Sequence, residues 1–490
     1  MTENTENKKF VIPRYAKHNI EKCQLKFKTH FLDKLENPLQ LKQNIVSLAI
    51  NCHLREELIR PHSWKLFLKT LSFNENITLR NWIDETYKKR EEYKQKLKEA
   101  KAKYELDEKN QDNKFSNFEE SSSIKHLIEI DVERTYGDIK LFQDEYIRNM
   151  EQEILYVFAQ ENKPTSYKQG MNEILAIFIH SFYPFYVTSP EKEYTKEKFD
   201  LWCSDPVKYI NQIYSFFHDE NEFPSDLYYI MYNIMNMGLN KFYNDSIDPE
   251  SKKDDQKTYL LLRCDYILDK LRKHNFKLYQ HFMDIGLSAE VILQRWLKCV
   301  FSREYTPEDC IYIWDNILAN EFNFSSKNLE YIDYFCVAMF DYVSENLLTH
   351  DQNECFICLF KYPPFQTIDI LVSLAEKVKE NVLKIDKPNN AKEMFFSGLK
   401  NIKNKITSLP IFNNDNKDEQ KNEDLLADLK KIKDNKTRVI QLKSLLNKYR
   451  NKFNAEDRMK IDLLLNSLEK IHLSHLCKIT SALKPISMKC

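Results

Sequence analysis

The sequence predicts an all-α protein, and three observations support this prediction. Between residues 171 and 182 the apolar side chains recur every three or four residues, which is the spacing of one buried helix face. Similar patterning extends from about residue 124 to about residue 378. Runs of alternating β-branched residues, which would predict strands, are almost absent from the sequence. With 490 residues, the chain is long enough for one large helical domain or two.

The N-terminal part is predicted to contain an extension, a helical region and a charged insertion. Residues 1–40 form the predicted extension, and amphipathic helical sequence follows from about residue 40 to residue 73. Charged residues dominate 87–114, which predicts a solvated helix, and the serine-rich stretch 116–123 predicts a loop. Residues 101–123 have few apolar side chains to offset the entropy of ordering. We therefore expect a charged, partly disordered insertion at about 87–123.

Later parts of the chain divide at polar segments. Residues 187–198 and 244–257 are polar and predict loops within the helical region. Beyond residue 379 the sequence becomes polar again, so 380–490 is predicted to be a linker and a helical C-terminal region. Its predicted helices cover 425–449 and 455–473. The main predicted domain, which includes the insertion, therefore spans 41–379.

Glycine content and net charge narrow the range of functions. The chain has only five glycines, and no two are spaced as in GxGxxG or GxxxxGK[ST]. Those motifs need several exposed backbone N–H groups close together, so we expect no nucleotide-binding phosphate loop. Lys and Arg total 73 and Asp and Glu total 74. A net charge of −1 gives no overall positive field, so nucleic acid is not a predicted partner.

Cysteine and hydropathy patterns predict neither a metal site nor a membrane span. The eleven cysteines are an odd number and lie in apolar segments, which is typical of reduced core thiols. Cys355 and Cys358 form a CxxC without a second pair, so we expect buried thiols there rather than a zinc site. No segment approaches the ~18 consecutive apolar residues of a transmembrane helix. Peripheral association with a membrane surface is left open.

Four separated stretches carry the candidate functional residues. They are RPHSWKLFL (60–68), IEIDVERTYGD (128–138), YKQGM (167–171) and QRWLKCVFSREY (294–305), the last followed by IWD (313–315). Their order and spacing resemble the TBC domain of Rab GTPase-activating proteins. The resemblance extends from about residue 51 to about residue 379. Within the family, the sequence is most similar to the branch associated with endosomal Rab control.

The resemblance implies an all-α fold of two helical lobes and a GTPase-activating function. Arg134 matches the arginine finger of the family, and Gln169 matches its glutamine finger, which orients water in place of the GTPase's own glutamine. A guanidinium suits this chemistry because the transition state of GTP hydrolysis spreads negative charge over phosphoryl oxygens. An amide can both accept from water and donate to an oxyanion. The partner GTPase would carry GTP and Mg²⁺, and this chain is expected to need no cofactor and no metal.

Five further residues are expected to support these two or to contact the GTPase. Asp131 lies one helical turn before Arg134 and could hold its side chain. We expect Tyr167 to fix the loop that carries Gln169, and Gly170 to let the partner's backbone approach closely. Arg60 and Trp64 are expected to brace the fold or to contact the GTPase.

Alternative interpretations remain open at this point. Taken alone, Arg134 could form a surface ion pair, and Gln169 could be a polar residue at a helix start. The chain could be a catalytically silent TBC scaffold, a Rab-binding module, or a structural helical protein that acts through its insertion and tail. Endosomal coat or trafficking proteins are further candidate partners for these two segments. The expected location is cytoplasmic, including the surface of endosomal membranes.

Overall fold

A computed structural model describes residues 17–110, 118–163, 165–251, 256–324, 328–364 and 367–386. Within these ranges the chain forms nineteen α-helices and no strand, apart from two isolated β-bridges. The all-α prediction is confirmed. The helices are α1 Ile20–His30, α2 Pro38–Ile50, α3 Arg60–Phe67, α4 Leu79–Lys109, α5 Phe118–Arg134, α6 Lys140–Gln143, α7 Glu145–Glu161, α8 Met171–Phe182, α9 Lys196–Ser204, α10 Ile210–Phe217, α11 Phe223–Asn236, α12 Tyr259–His274, α13 Phe276–Asp284, α14 Ala289–Cys299, α15 Pro307–Phe324, α16 Tyr331–Tyr342, α17 Ser344–Leu347, α18 Gln352–Phe360 and α19 Ile368–Asp386.

Helix α8 lies at the centre of this arrangement. It begins at Met171, where the apolar periodicity predicts it, and ten of its twelve residues are buried. It contacts α3, α5, α7, α11, α14 and α15. One group of neighbours, formed by α4, α5, α7, α9 and α11, packs together, and α12, α13, α14 and α16 form a second group. Because α8 contacts α5, α7 and α11 in the first group and α14 in the second, its packing fixes the helix start that directly follows Gln169.

A buried ion pair connects the first and last of the four motif-bearing stretches. The Arg60 guanidinium donates to both carboxylate oxygens of Asp315 at 2.8–3.1 Å, and the Trp64 indole N–H donates to the same carboxylate at 2.7 Å. Arg60 is 5% exposed and Asp315 is fully buried. The ring of Trp64 also stacks on Trp314, with centroids 6.0 Å apart. Helices α3 and α15 are therefore joined by paired charges and aromatic packing.

The charged segment agrees with its prediction in part. Helix α4 continues without interruption to Lys109, and α5 begins at Phe118. The helix predicted for 87–114 is confirmed as far as Lys109, and the loop predicted for 116–123 is wrong for 118–123, which begin α5. Residues 111–117 lie outside the described part, and partial disorder of the insertion stays a prediction. Helix α4 is not solvated on all sides, because it has a buried face, which includes Arg90, Tyr93 and Ala100 and packs against α11 and α7.

The buried arginine of α4 is neutralised by a residue far along the sequence. Arg90 donates to both carboxylate oxygens of Asp226 at 2.8–2.9 Å, and Lys65 and the Tyr186 hydroxyl donate to the same group at 2.7 and 2.6 Å. Burial would raise the pKa of Asp226, but the two cations outweigh it and hold that pKa well below its usual range. One charged residue of α4, Arg90, thus lies in the core, whereas the prediction treated the charges of this helix as solvated.

The structure departs from the predicted start of the main domain and lies close to its predicted end. Helix α1 belongs to the predicted N-terminal extension, yet Cys23, Phe27 and Phe31 on or just after it are buried in the shared core. The first compact unit ends at Val382, within α19 and close to the predicted boundary at 379. The C-terminal helices predicted at 425–449 and 455–473 lie outside the described residues, so the division of the chain into domains stays a prediction.

The described residues also bear on metal binding, on the CxxC cysteines and on membrane spans. No group of three or more His, Cys, Asp or Glu side chains there is arranged to hold a metal ion. Cys355 is buried and Cys358 is partly buried, and both are free thiols. None of the described helices has the length and apolar character needed to cross a membrane.

The buried ion pair predicts a large stability effect. Asp315→Asn keeps the shape of the side chain but leaves the Arg60 charge uncompensated in the core, so we expect the free energy of unfolding to fall by about 3–5 kcal/mol. The matched control is Asp84→Asn, which removes an exposed carboxylate paired with Arg80 and should cost at most about 1 kcal/mol. Urea unfolding of both variants measures the difference, and equal midpoints for the two would contradict the bracing role.

Candidate functional site

Arg134 is the last residue of α5, and its side chain is exposed. It forms no hydrogen bond or ion pair with any residue in the described part of the chain. The expected contact with Asp131 is wrong, because the Asp131 side chain is buried and its carboxylate accepts a hydrogen bond from the Tyr167 hydroxyl at 2.8 Å. The guanidinium therefore lies at a helix end, exposed and without a partner among the described residues.

Gln169 lies in the loop that leads into α8, and it too is exposed. Its side-chain amide has no hydrogen-bond partner among the residues that the structure describes. The residue after it, Gly170, has the left-handed backbone angle φ 102° and serves as the N-cap of α8. Because α8 starts here, the positive end of its dipole lies beside Gln169 and favours negative charge at that place.

Gly170 has a different role from the expected one. It is buried, and a Cβ atom at this position would lie 3.3 Å from the sulfur of Cys299 and 3.6 Å from the hydroxyl of Tyr243. The glycine is required by its own backbone angle and by close packing inside the chain. The expectation that it clears space for a partner's backbone is therefore wrong.

A network of buried hydrogen bonds joins the end of α5 to the Gln169 loop. Tyr167 donates from its hydroxyl to Asp131, and the backbone N–H of Gly170 donates to the side-chain oxygen of Asn172 at 3.1 Å. The Asn172 amide in turn donates to the Thr135 hydroxyl at 2.8 Å and to the Asp131 carbonyl at 3.3 Å. Burial and the bond to Asp131 raise the pKa of Tyr167 far above its ordinary value, so its hydroxyl stays protonated and donates. The network fixes the two segments that carry Arg134 and Gln169 relative to each other.

A short strap after α14 supports the same two segments. We use "strap" for residues 300–303. The Tyr136 hydroxyl donates to the Ser302 carbonyl at 3.0 Å, which ties the strap to the chain just beyond Arg134. The Ser302 hydroxyl and the Arg303 guanidinium donate to the two carboxylate oxygens of Glu173, in the first turn of α8, at 2.9 and 2.6 Å. The strap is therefore hydrogen-bonded on both sides of the site.

Four of the nine non-glycine residues with left-handed backbone angles in the described part of the chain lie near the site. Tyr136 (φ 43°), Ser166 (φ 52°), Val300 (φ 44°) and Phe301 (φ 67°) all occupy the left-handed region without being glycine. Such angles cost of the order of 1–3 kcal/mol each and persist only where the surrounding packing enforces them. Here the Val300 carbonyl accepts a hydrogen bond from the Trp314 indole at 2.9 Å, and Val300 and Phe301 are buried. Strained backbone thus occurs in the segments that hold Arg134 and Gln169 and in the strap that supports them.

Arg60 and Trp64 brace the fold and do not face a partner. Both are buried, and both bond to Asp315 in the core. The indole N–H of Trp314, the neighbour of Asp315, donates to the Val300 carbonyl in the strap. The buried ion pair therefore also supports the site through the strap. The expected supporting role fits these contacts, whereas an expected contact with a GTPase is excluded by the burial of the two side chains.

Sequence reasoning missed Asn172, Glu173 and the strap. Asn172 is a buried polar residue in an otherwise apolar stretch, and this mismatch is the signal that could have found it. No local signal marks Glu173, because its partners Ser302 and Arg303 come from a separate part of the chain. The structure thus brings Asp131, Tyr167 and Asn172 together in a buried network. The two segments that this network joins carry Arg134 and Gln169, which stay exposed.

Comparison with known proteins shows what this arrangement is similar to. The Rab-GTPase-TBC domain model matches residues 57–348. TBC1 domain family member 5 of Mus musculus is 25% identical over 341 residues, which cover 66% of this chain and 40% of the relative. TBC1 domain family member 5 homolog B of Dictyostelium discoideum is 24% identical over 453 residues, covering 72% of this chain and 43% of that protein. The chain thus spans less than half the length of these curated relatives.

A solved structure shares the fold. The crystal structure of the Ypt/Rab-GAP domain of Gyp1p aligns with a TM-score of 0.53 and 20% identity, covering 75% of this chain and all of that one. The GTPase-activating protein GYP1 of Saccharomyces cerevisiae is 23% identical over 264 residues, which are 53% of this chain and 35% of the relative.

The geometry at Gly170 predicts a site-specific stability cost. Gly170→Ala forces a Cβ into a left-handed position against Cys299, so we expect the free energy of unfolding to fall by about 1–3 kcal/mol. Gly137→Ala is the matched control, because a Cβ there meets nothing within 4 Å and should change stability by at most about 1 kcal/mol. Chemical unfolding of both variants is the measurement. Equal effects would mean that Gly170 is not constrained by its backbone and packing.

Proposed function

This chain belongs to the Rab-GTPase-TBC domain family, and from that premise we propose that it is a GTPase-activating protein for a Rab-family small GTPase. The single observation that carries the proposal is the exposure of both Arg134 and Gln169 on segments held together by buried hydrogen bonds. The similarity to relatives named as TBC1 domain family members and as a GTPase-activating protein supports the same function.

Arg134 would stabilise the transition state. Phosphoryl transfer from GTP is loose, and its negative charge is spread over the oxygens of the transferred group. A planar, permanently charged guanidinium can donate to two of these oxygens together, and such a finger contributes about 10³–10⁵ in rate. Because Arg134 has no carboxylate partner among the described residues, its charge is available to the phosphoryl group without first breaking an ion pair.

Gln169 would position the attacking water. Its amide can accept a hydrogen bond from the water and donate one to an oxyanion. The loop geometry supports this role, since Gly170 and Asn172 fix the backbone immediately after the glutamine. The positive end of α8 beside it favours the negative charge that develops during the reaction.

The partner supplies the remaining components. The GTPase carries GTP and Mg²⁺, and this chain contributes its two side chains in trans without a cofactor of its own. We place the activity in vesicle and endosomal trafficking, because the sequence is most similar to that branch of the family. A second candidate function is a catalytically silent Rab-binding scaffold. Both fingers are exposed and have no partner among the residues that the structure describes, which favours the active protein.

The arginine finger predicts a loss of catalysis without a loss of folding. Arg134→Ala should lower the maximal stimulated rate of GTP hydrolysis by about 10³-fold, because the interaction is made in the transition state. Arg272→Ala, which removes an exposed arginine from α12, is the control and should retain the parent's rate. Single-turnover phosphate release over a panel of Rab GTPases, with thermal melts alongside, provides the test. Equal stimulation by Arg134→Ala and the parent would rule out the finger.

The glutamine finger predicts an asymmetry between the two proteins. If Gln169 aligns the water, the GTPase's own switch glutamine is redundant, because one position aligns the nucleophile. Replacing the GTPase glutamine by alanine should leave most of the stimulation, whereas Gln169→Ala should remove most of it. Gln40→Ala, at an exposed glutamine of α2, is the control.

Single-turnover phosphate release with the four combinations of protein and GTPase variants measures this asymmetry. The opposite pattern, in which only the GTPase change abolishes stimulation, would show that the loop docks the partner and that Arg134 works with the GTPase's glutamine.

A further inference from the structure

An open cleft of about 360 Å³ lies directly beside Gln169. Gln169 and Lys168 form part of its wall, and the end of α14 with the strap forms another part. Four of its lining side chains are cationic and one is anionic: Lys168, Arg295, Lys298 and Arg303 against Asp245. The chain as a whole has a net charge of −1, so this concentration of positive charge is local.

The cations of the cleft differ in how far they are neutralised. Arg303 pairs with Glu173 at 2.6 Å and Arg295 with Glu304 at 2.8 Å, and these carboxylates are largely covered, with exposed side-chain fractions of 15% and 2%. The guanidinium side chains remain accessible at 36% and 28%. Burial raises the pKa of Glu304 to about 7, which reduces the negative charge beneath the cleft near neutral pH. Lys168 pairs at 3.1 Å with the exposed Asp245, and beside this one carboxylate solvent meets mainly positive groups.

Lys298 is the cation with the least compensation. It is partly buried in the last turn of α14, and its ammonium has no ion-pair partner among the described residues. Its backbone carbonyl accepts a hydrogen bond from the Tyr243 hydroxyl at 2.5 Å, which fixes the main chain from which the side chain extends. No step of the proposed catalysis uses Lys298, Arg295 or Arg303. An unpaired ammonium on a fixed backbone is a ready contact for an incoming carboxylate.

We infer that this cleft binds acidic side chains on the surface of the GTP-bound GTPase, next to the nucleotide; the inference rests on the proposed function. A GTPase whose phosphates reach Gln169 must present surface to the adjoining cleft, because the cleft begins at that residue. Clefts lined by one sign of charge raise association rates with oppositely charged partners. The cleft would therefore select, among GTPases, those with carboxylates at this place, and it would act on encounter rather than on the chemical step.

The test separates encounter from chemistry. In single-turnover hydrolysis with a GTPase that the parent stimulates, Lys298→Glu should lower kcat/KM about 5–10-fold at low salt and leave the maximal rate at saturating protein unchanged. Lys298→Gln, which removes the charge without reversing it at the helix end, should lower kcat/KM about 2–3-fold. Lys22→Glu, at an exposed lysine of α1, is the charge-matched control and should behave as the parent. At about 0.5 M salt the difference between Lys298→Glu and the parent should shrink to less than about twofold, since screening then acts within a few ångströms.

Three outcomes would overturn the inference. If the parent stimulates hydrolysis but Lys298→Glu leaves kcat/KM and its salt dependence unchanged, the role of the cleft is refuted and the proposed function stands. Absence of stimulation of any Rab GTPase by the parent would refute the proposed function and the cleft with it. Loss of binding to vesicles of phosphatidylserine and phosphatidylcholine in Lys298→Glu, with kcat/KM unchanged, would show that the cleft faces a membrane instead.

Discussion

The hydrogen bond from the Tyr167 hydroxyl to the Asp131 carboxylate joins two segments that are 36 residues apart in sequence. Both side chains are about 95% buried, so water does not compete for the bond. Arg134 follows on one segment and Gln169 on the other, and Asn172 adds two more bonds between them. The relative position of the two exposed side chains is therefore set by the fold before any partner binds. Catalysis by positioned groups depends on this kind of preorganisation, because the reaction then needs no further ordering.

The rest of the fold compensates for the cost of that arrangement. Four non-glycine residues near the site have left-handed backbone angles. Tyr136 and Val300 are held by hydrogen bonds with neighbouring elements, and Phe301 is held by burial. The chain of support runs from Arg60 through Asp315 to the adjacent Trp314, whose indole bonds to the strap. The strap in turn bonds to Glu173 in the first turn of α8. Buried residues with no access to a partner thus contribute to the site through the elements that they fix.

Sequence patterns predicted the elements whose structure depends on neighbouring residues along the chain. The three- and four-residue periodicity located α8 from its first residue, because one face of that helix is buried along its whole length. Patterns gave no access to contacts between distant segments. Arg90 looked solvated because its partner Asp226 comes 136 residues later, and the strap was missed because its bonds reach α8 from a separate stretch. Gly170 was misinterpreted because a backbone angle is not visible in a sequence. Arg134 and Gln169 were found through resemblance to a family, and only the structure revealed the buried bonds that relate them.

The most direct measurement of this account compares the loss of two buried hydroxyls. Tyr167→Phe removes the bond to Asp131, and Tyr362→Phe removes a hydroxyl that bonds to the Met339 carbonyl at 2.7 Å away from the network. Both variants should lose about 1–3 kcal/mol of unfolding free energy, because each leaves a buried acceptor without its donor. The account predicts that only Tyr167→Phe lowers the maximal single-turnover rate of stimulated GTP hydrolysis, by about tenfold or more. Equal maximal rates for the two folded variants would contradict the claim that the buried network aligns Arg134 and Gln169.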